Sequence, residues 1–377
     1  MSPEKAAFTS VEICAGAGGQ ALGLERAGFE HELLIEVDPH ACETLRHNRP
    51  GWNVLEGDLR RYVDSKKALK LKGKIDLLAG GVPCPPFSLA GKQLGRDDER
   101  DLFPTMIRLA SQLDPPAIMI ENVRGLMQSK FDDYRQEIMD ELGALGYKCS
   151  WQELQASDFG VSQLRPRSIL VALKPEVWDH FDSESWYKPR EGQAPPLSVG
   201  ELLADSMKAR GLTGKNFDDW YGQAKKDIAP TLVGGSKKHG GADLGPSRAK
   251  KAWKDLGVCG LGVADEPGED GTTKNPKRDL GLGTNNGPML TVPQAAMIQG
   301  FIPEGDEQEW VFKGRKTAAY RQVGNAFPPP VAKAVGFQII KALKARREEM
   351  EALSATADAI PAQPADSDTD LVGARLG

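Results

Sequence analysis

The chain has 377 residues, a net charge of −5, 40% hydrophobic and 27% charged residues. That suits about two to three domains of an ordinary soluble protein, and no apolar stretch is long enough to span a bilayer. The acidic balance excludes a protein that is basic throughout, so a polyanion would have to meet a local basic face.

The N-terminus lacks the hydrophobic core of a signal peptide, and a cytoplasmic location is expected. Five cysteines, Cys14, Cys42, Cys84, Cys149 and Cys259, include no Cys-x-x-Cys pair. A disulfide framework and a metal site are therefore not expected, and a reducing compartment is.

Thr9 to Cys14 reads as a first strand. The turn Ala15-Gly16-Ala17-Gly18-Gly19 follows, then a helical pattern from Gln20 that stops at Gly28. Strand, glycine turn and helix suit a cofactor, because the bare backbone lets a ligand come close. Any tight strand-to-helix turn would look similar. Leu33 to Asp38 is a second strand ending in acids, where a carboxylate can accept from ribose hydroxyls. Glu36 is the preferred acceptor, with Asp38 beside it, and solvated surface carboxylates are the alternative. Val54 to Asp58 ends a third strand with an acid placed to accept from an adenine amine.

Ile75 to Ala79 reads as a buried fourth strand, ended by Gly80 and Gly81. Then comes Val-Pro-Cys84-Pro-Pro-Phe-Ser88. Three prolines fix φ and remove donors, so a stiff loop at a strand's carboxyl end carries the thiol. A small buried core cysteine is the alternative. Ala117 to Val123 is a fifth strand that carries Glu121 and Asn122. A carboxyl group after a buried run needs a task or a partner, so a buried ion pair is the other reading. Phe131 to Gly146 reads as a helix, and Cys149–Ala156 with Ser168–Leu173 as a strand pair. The bend between them holds Gln163, Arg165 and Arg167, suited to a phosphate or carbonyl oxygen or simply to solvent.

Residues 175–285 are rich in Gly, Pro, Asp and Trp and weakly periodic, as in a second, irregular unit. Positive charge concentrates at Lys237 and Lys238 and again from Arg248 to Lys254. Gly262 to Asp279 reads as an exposed loop. Order returns from Pro288 to Phe301 and from Tyr320 to Pro330. A helix is expected from Val331 to about Arg347, then a disordered tail from Glu348.

Together these segments resemble the DNA cytosine-5 methyltransferases of bacterial and phage restriction-modification systems. The resemblance covers about residues 9–173 and 286–343. It rests on the glycine turn, Glu36, Asp58, Pro83-Cys84 with Phe87-Ser88, Glu121-Asn122-Val123, Gln163-x-Arg165-x-Arg167, Leu290-Thr291 with Gln299-Gly300-Phe301, and Gly324-Asn325-Ala326, in that order. It implies an α/β, Rossmann-like methyltransferase domain that uses S-adenosyl-L-methionine. It also implies a smaller, irregular target recognition domain. The expected divisions are 1–174 and 316–347 for the catalytic domain, 175–315 for recognition, and 348–377 for the tail.

As catalytic residues the resemblance implies Cys84 as nucleophile, Glu121 as acid at N3, and Arg165 and Arg167 as donors. As cofactor residues it implies Ala15, Gly16, Gly18, Gly19, Glu36, Val37, Asp58, Leu59, Gly80, Asn325 and Ala326. As DNA residues it implies Ser88, Asn122, Gln163, Lys237 and Lys238. The implied partner is double-stranded DNA, bound by a monomer, with a cognate endonuclease acting on the same site. Two positions depart from the family: Cys14 replaces the usual Phe, and Pro85 replaces the frequent Gln. An RNA cytosine-5 methyltransferase, a nicotinamide-dependent oxidoreductase and a catalytically silent DNA-binding relative are the competing readings.

Overall fold

The computed structural model describes residues 7–63, 65–83, 101–189, 192–234, 242–268 and 272–358. Cys84, Ser88, Lys237 and Lys238 fall outside the described residues.

The strands are β1 (Phe8–Ile13), β2 (Phe29–Glu36), β3 (Val54–Glu56), β4 (Leu77–Gly81), β5 (Ala117–Val123), β6 (Lys148–Gln155) and β7 (Pro166–Leu173). Among the described residues they form one sheet in the order β3-β2-β1-β4-β5-β7-β6. All pairings are parallel except those of β7, which runs antiparallel to β5 and β6. The order reverses between β1 and β4, the place where an open α/β sheet leaves a crevice at its strand ends.

Helices intervene along the chain: α1 (Gly19–Ala27), α2 (Pro39–Asn48), α3 (Leu59–Val63), α4 (Lys66–Leu69), α5 (Phe103–Leu113) and α6 (Asp132–Ala144). Beyond the sheet come α7 (Pro175–Trp178), α8 (Val199–Ala209), α9 (Gly214–Ala224), α10 (Ser247–Asp255) and α11 (Pro276–Asp279). The last are α12 (Val292–Gln299), α13 (Lys316–Asn325) and α14 (Pro329–Asp358).

The central strands are buried on both faces, so they read as apolar runs instead of alternating. Along β4, Leu78 packs with Phe103 and Met106 of α5, while Leu77 and Ala79 pack with Val335 and Ile339 of α14. The same division holds on β5, with Ile118 and Ile120 on one side and Ala117 and Met119 on the other. Helices α1 and α14 approach closely because glycine leaves room. A Cβ at Gly23 would lie 2.4 Å from the Pro329 carbonyl oxygen and 2.5 Å from the Ala332 Cβ.

Three expectations need correction. The segment just after Lys174 packs with the sheet and not with the later irregular part: Val177, Phe181 and Trp186 are buried against Leu173, Val331 and Val335. Gly262 to Asp279 is not simply an exposed loop. Val263, Ala264 and Asp279 are buried, because the Ala264 N–H donates to Leu290 O and the Met289 N–H to Asp279 O. Finally, α14 continues to Asp358, past the expected start of a disordered tail. Its far part is held by Arg347, which lies 3.8 Å over the Phe8 ring and 2.8 Å from Asp76, and by Glu349, 3.2 Å from His180.

The irregular part does have an order of its own. Helices α8 and α12 each begin with a reciprocal cap, Ser198 with Glu201 and Thr291 with Gln294, which satisfies helix-end donors. Trp220 and Trp253 are buried in a cluster that runs on through Leu290, Ala295 and Val323 to Leu22, Leu34 and Leu45. One apolar core thus joins this part of the chain to the sheet.

Candidate active site

At the carboxyl ends of the strands lies a cleft open to solvent. Its walls are Glu12, Cys14, Ala15, Gly16, Ala17, Gly19 and Gln20 from β1 and the turn into α1. Glu36, Asp38 and Ala41 follow β2, Gly81 ends β4, and Glu121 ends β5. Ala318, Arg321, Gln322, Asn325, Ala326 and Phe327 close it from α13 and the turn beyond.

The glycine turn is built for close approach. Cys14, Gly16 and Gly18 all have positive φ, at 51°, 54° and 87°. That conformation is rare for a residue with a Cβ, so Cys14 carries a strain of about 1–3 kcal/mol at the edge of the cleft. A Cβ at Gly16 would meet nothing within 4 Å, so this backbone borders open space. A Cβ at Gly19 would lie 2.2 Å from the Phe327 carbonyl oxygen, which seats the return segment directly on the turn.

Glu36 is held rigidly. Its carboxylate accepts from the Gly16 N–H at 2.7 Å and from the Val37 and Asp38 N–H groups at 2.8 and 2.7 Å. Asp38 caps α2 by accepting from the His40 and Ala41 N–H groups. Burial, and after it the Glu36 and Glu12 charges, push the Cys14 thiol up to about 12, so it stays neutral at pH 7.

Glu121 and Arg167 form the other pole. The register that pairs β4 with β5 sets Gly81 beside Glu121, and β7 sets Arg167 opposite Val123. Arg167 Nε meets Glu121 Oε1 at 2.8 Å with both side chains nearly buried. Burial raises Glu121 above the usual carboxylate range, with Arg167 and then Arg165 opposing the rise. A Cβ on Gly81 would lie 3.1 Å from Glu121 Oε2, so a side chain there would crowd the acid. Asn122 anchors the chain that leads to Cys84: its Nδ2 donates to the Val82 carbonyl at 2.9 Å.

Several sequence-derived assignments change. Arg165 is not paired with Glu121 as Arg167 is, and bonds to backbone carbonyls instead. It is buried and donates to the carbonyls of Leu232 (2.9 Å), Gly324 (2.8 Å) and Ala326 (3.0 Å). Gln163, expected at DNA, is fully buried. It donates to Ile298 O and Gln299 Oε1 and accepts from the Leu232 N–H. Asn122, also expected at DNA, is buried and spends its amide on Val82 and its own strand. All three hold backbone in place, as buried polar groups must find partners.

Of the expected cofactor residues, Ala15, Gly16, Gly19, Glu36, Asn325 and Ala326 line the cleft, and Gly18, Val37, Asp58, Leu59 and Gly80 do not. Gly18 instead gives room to Leu45 and Trp310, and Gly80 to Ile13. Val37 is exposed and Leu59 is buried in the core. Asp58 sits past β3 and accepts from the Arg60 N–H at 2.9 Å. The sequence reading missed Glu12, Gln20, Ala318, Arg321 and Gln322. The last three share one helical face with Asn325 by their spacing, so the periodicity of α13 held that signal.

Comparison with known proteins follows the same lines. The family model for C-5 cytosine-specific DNA methylase matches residues 8–341. Type II methyltransferase M.NaeI of Lentzea aerocolonigenes is 52% identical over 338 residues, covering 90% of this chain and 76% of that protein. Type II methyltransferase M.NgoMIV of Neisseria gonorrhoeae is 52% identical over 341 residues, covering 89% and 98%. A solved E. coli prophage protein described as a DNA modification methyltransferase shares the fold, with TM-score 0.58, 22% identity, and coverage of 89% of this chain and 99% of that one. With a cleft at the sheet's switch point, an acid and an arginine beside it, and these relatives, the chain belongs to the C-5 cytosine-specific DNA methylase family.

Proposed function

We propose that this protein transfers a methyl group from S-adenosyl-L-methionine to C5 of a flipped-out cytosine in a specific double-stranded DNA sequence, through a covalent Cys84–C6 intermediate. The observation that carries the reading is the Glu121–Arg167 pair at the edge of the cleft, beside the strand that leads to Cys84. The cleft fits the cofactor: Gly16 borders open space, Glu36 stands at the end of β2, and Glu12 and Gln20 present unpartnered polar atoms. S-adenosylmethionine supplies an electrophilic methyl group.

The chain's own residues do the rest. Cytosine C5 is a weak nucleophile until a thiolate adds at C6, which is the task of Cys84. Electrons then move toward N3. Glu121, raised by burial, donates a proton there. Once C5 has taken the methyl group, loss of the C5 proton to a base and elimination of the Cys84 thiolate from C6 restore the ring and release the enzyme. Arg167 donates toward O2 and fixes the Glu121 carboxyl. Asn122 holds the start of the nucleophile loop through Val82. Ser88 holds the phosphate of the flipped nucleotide. Flipping costs a few kcal/mol, and duplex DNA cannot otherwise present C5.

The protein acts as a cytoplasmic monomer, and a cognate restriction endonuclease that cuts the same site is its functional counterpart. Among the described residues no helix is long and apolar enough to cross a membrane. Labelled S-adenosylmethionine with duplex DNA, and RNA as control, tests the activity. Wild type is expected to label DNA alone and to trap duplex carrying 5-fluorocytosine covalently. Cys84→Ser is expected to do neither while still binding DNA. Label on RNA alone would favour the RNA enzyme, and full activity of Cys84→Ser would overturn the mechanism.

A further inference from the structure

One strongly charged surface of the protein takes no part in the cleft. Leu59 to Lys74 hold seven cations and a single acid, in a chain whose acids outnumber its lysines and arginines by 53 to 48. Arg60, Arg61, Lys66, Lys67, Lys70, Lys72 and Lys74 are all exposed. The apolar residues between them, Leu59, Tyr62, Val63 and Ala68, are buried in one cluster with Phe103, Met106 and Ile107 of α5. Helices α3 and α4 are thus fixed with their cations outward.

Local electrostatics do not account for this arrangement. Other exposed cations sit beside acids: Arg46 beside Glu56, Arg124 beside Glu153, Lys148 beside Asp179 and Lys215 beside Asp219. Of the seven, Arg60 alone is paired with a described residue, Asp58 at 3.7 Å. Lys66 and Lys70 stand four residues apart at the two ends of α4, a spacing at which like charges repel and destabilise a helix. Among the described residues nothing offsets that repulsion, so the charge has a use outside the fold.

The stripe also has a direction. Arg60 follows β3, whose carboxyl end lies beside that of β2 and so beside the cleft. Glu56 pairs with Glu36 there, and the Gly57 N–H donates to Glu36 O at 2.8 Å. Lys74 lies at the other end of the sheet, where its carbonyl accepts from Thr9 Oγ1 at 3.1 Å, near the start of β1. The cations therefore run from the rim of the cleft down the flank of the domain. A duplex that presents a base to the cleft lies across the carboxyl face of the sheet, and it is too stiff to turn down that flank without a cost in bending. Five of the seven cations are lysines, point charges that meet phosphates without reading bases. Spread along a flank, they suit a polyanion of repeating charge and not a small anion. Leu69 is exposed among them, but one leucine does not hold a protein on a bilayer.

We infer that this flank is a second binding surface for duplex DNA, and that it holds the phosphates of a segment other than the one whose cytosine occupies the cleft. With two segments bound at once, the enzyme passes from one to the next without first coming free. This rests on duplex DNA as the substrate, and the target itself is left to the recognition region.

The test is a titration of the protein trapped covalently on a short duplex carrying 5-fluorocytosine. Its cleft is then occupied, so a labelled duplex without a target has to bind elsewhere. Wild type is expected to bind that second duplex, with an affinity that falls as salt rises. Lys66→Ala, Lys67→Ala and Lys70→Ala together should lower the slope of log K against log salt by ~2.7, at ~0.9 for each phosphate contact. The same three changed to Arg should keep the slope. Single-turnover methylation of the short duplex should be the same in all three proteins. Release of a labelled target duplex should quicken as unlabelled duplex is added to wild type, and far less so in the alanine variant. No second duplex on the trapped protein, equal binding by the alanine variant, or binding of phosphatidylserine vesicles in place of DNA would overturn the inference. Loss of methylation in the alanine variant would place these lysines under the target duplex and overturn it as well. Failure of wild type to trap would instead overturn the covalent mechanism, and the titration then uses protein saturated with target duplex.

Discussion

At the scale of single residues, the cleft is governed by buried carboxyl groups. Glu121→Gln keeps the shape of the acid and the contact with Arg167 but has no proton to give N3. Single-turnover methylation should slow by roughly 10²-fold or more, the scale of a positioned general acid, while the Kd for S-adenosylhomocysteine stays put. Glu12 leads to a pH prediction. Its folded-state pKa is raised, so the folded state favours its protonated form. That contribution is fully present below the ordinary value of 4.5 and is lost as pH rises toward the raised one. Glu12→Gln removes the penalty. Its melting temperature relative to wild type, both without ligand, should rise steadily from pH 5 to pH 8. A difference that is flat over this range would mean that Glu12 finds a partner when it ionises.

Elements show where the sequence was legible and where it was not. The strands of the sheet could be read because each is an apolar run with a glycine or an acid at its end. That Glu121, Ala15, Gly16 and Gly19 would sit at the strand ends could be read because their signal is local. Arg165 and Gln163 could not be assigned, because alternating polar residues in a bend give no sign of which one turns inward. Their partners, Leu232, Ile298, Gly324 and Ala326, come from far along the chain. The reach of α14 was missed for a similar reason: the stretch around Arg347 and Glu349 is polar, and it is held by ion pairs and by Phe8 near the other end of the chain. Arg165→Met would leave the buried Leu232 and Gly324 carbonyls without a donor, while Ala326 O keeps that of Gln299. It should lower stability in denaturant by about 2 kcal/mol or more, given about 1–3 kcal/mol for each unmet group. Gly23→Ala should cost about 1–3 kcal/mol by the same measurement, since the added methyl would overlap Pro329 and Ala332 between α1 and α14.

For the molecule as a whole, a net charge of −5 means that DNA must be held by a few concentrated cations. Two groups compete for that role. On α10, Lys250 is already neutralised by Asp243 at 2.8 Å, and Lys254 borders a polar hollow beside α9. The other group is Lys237 and Lys238. The chain that leads to them is anchored at the active site: Leu232 is bonded on both sides, to Gln163 and Arg165. Gly234 is packed so closely on α13 that an added Cβ would lie 2.3 Å from Asn325 Oδ1. A cytosine delivered to the cleft brings its phosphates into the same neighbourhood. Lysine is a point charge without a fork that matches base edges, so phosphate contact is expected. Replacing both lysines with alanine should weaken binding to all duplexes alike and cut the slope of log K against log salt by ~1.8, at ~0.9 for each phosphate no longer neutralised. Weakening confined to the preferred sequence, by ~1–3 kcal/mol for each base edge, would make them base readers. An unchanged slope would move the DNA to α10, where the same titration with Lys251→Ala and Lys254→Ala would find it.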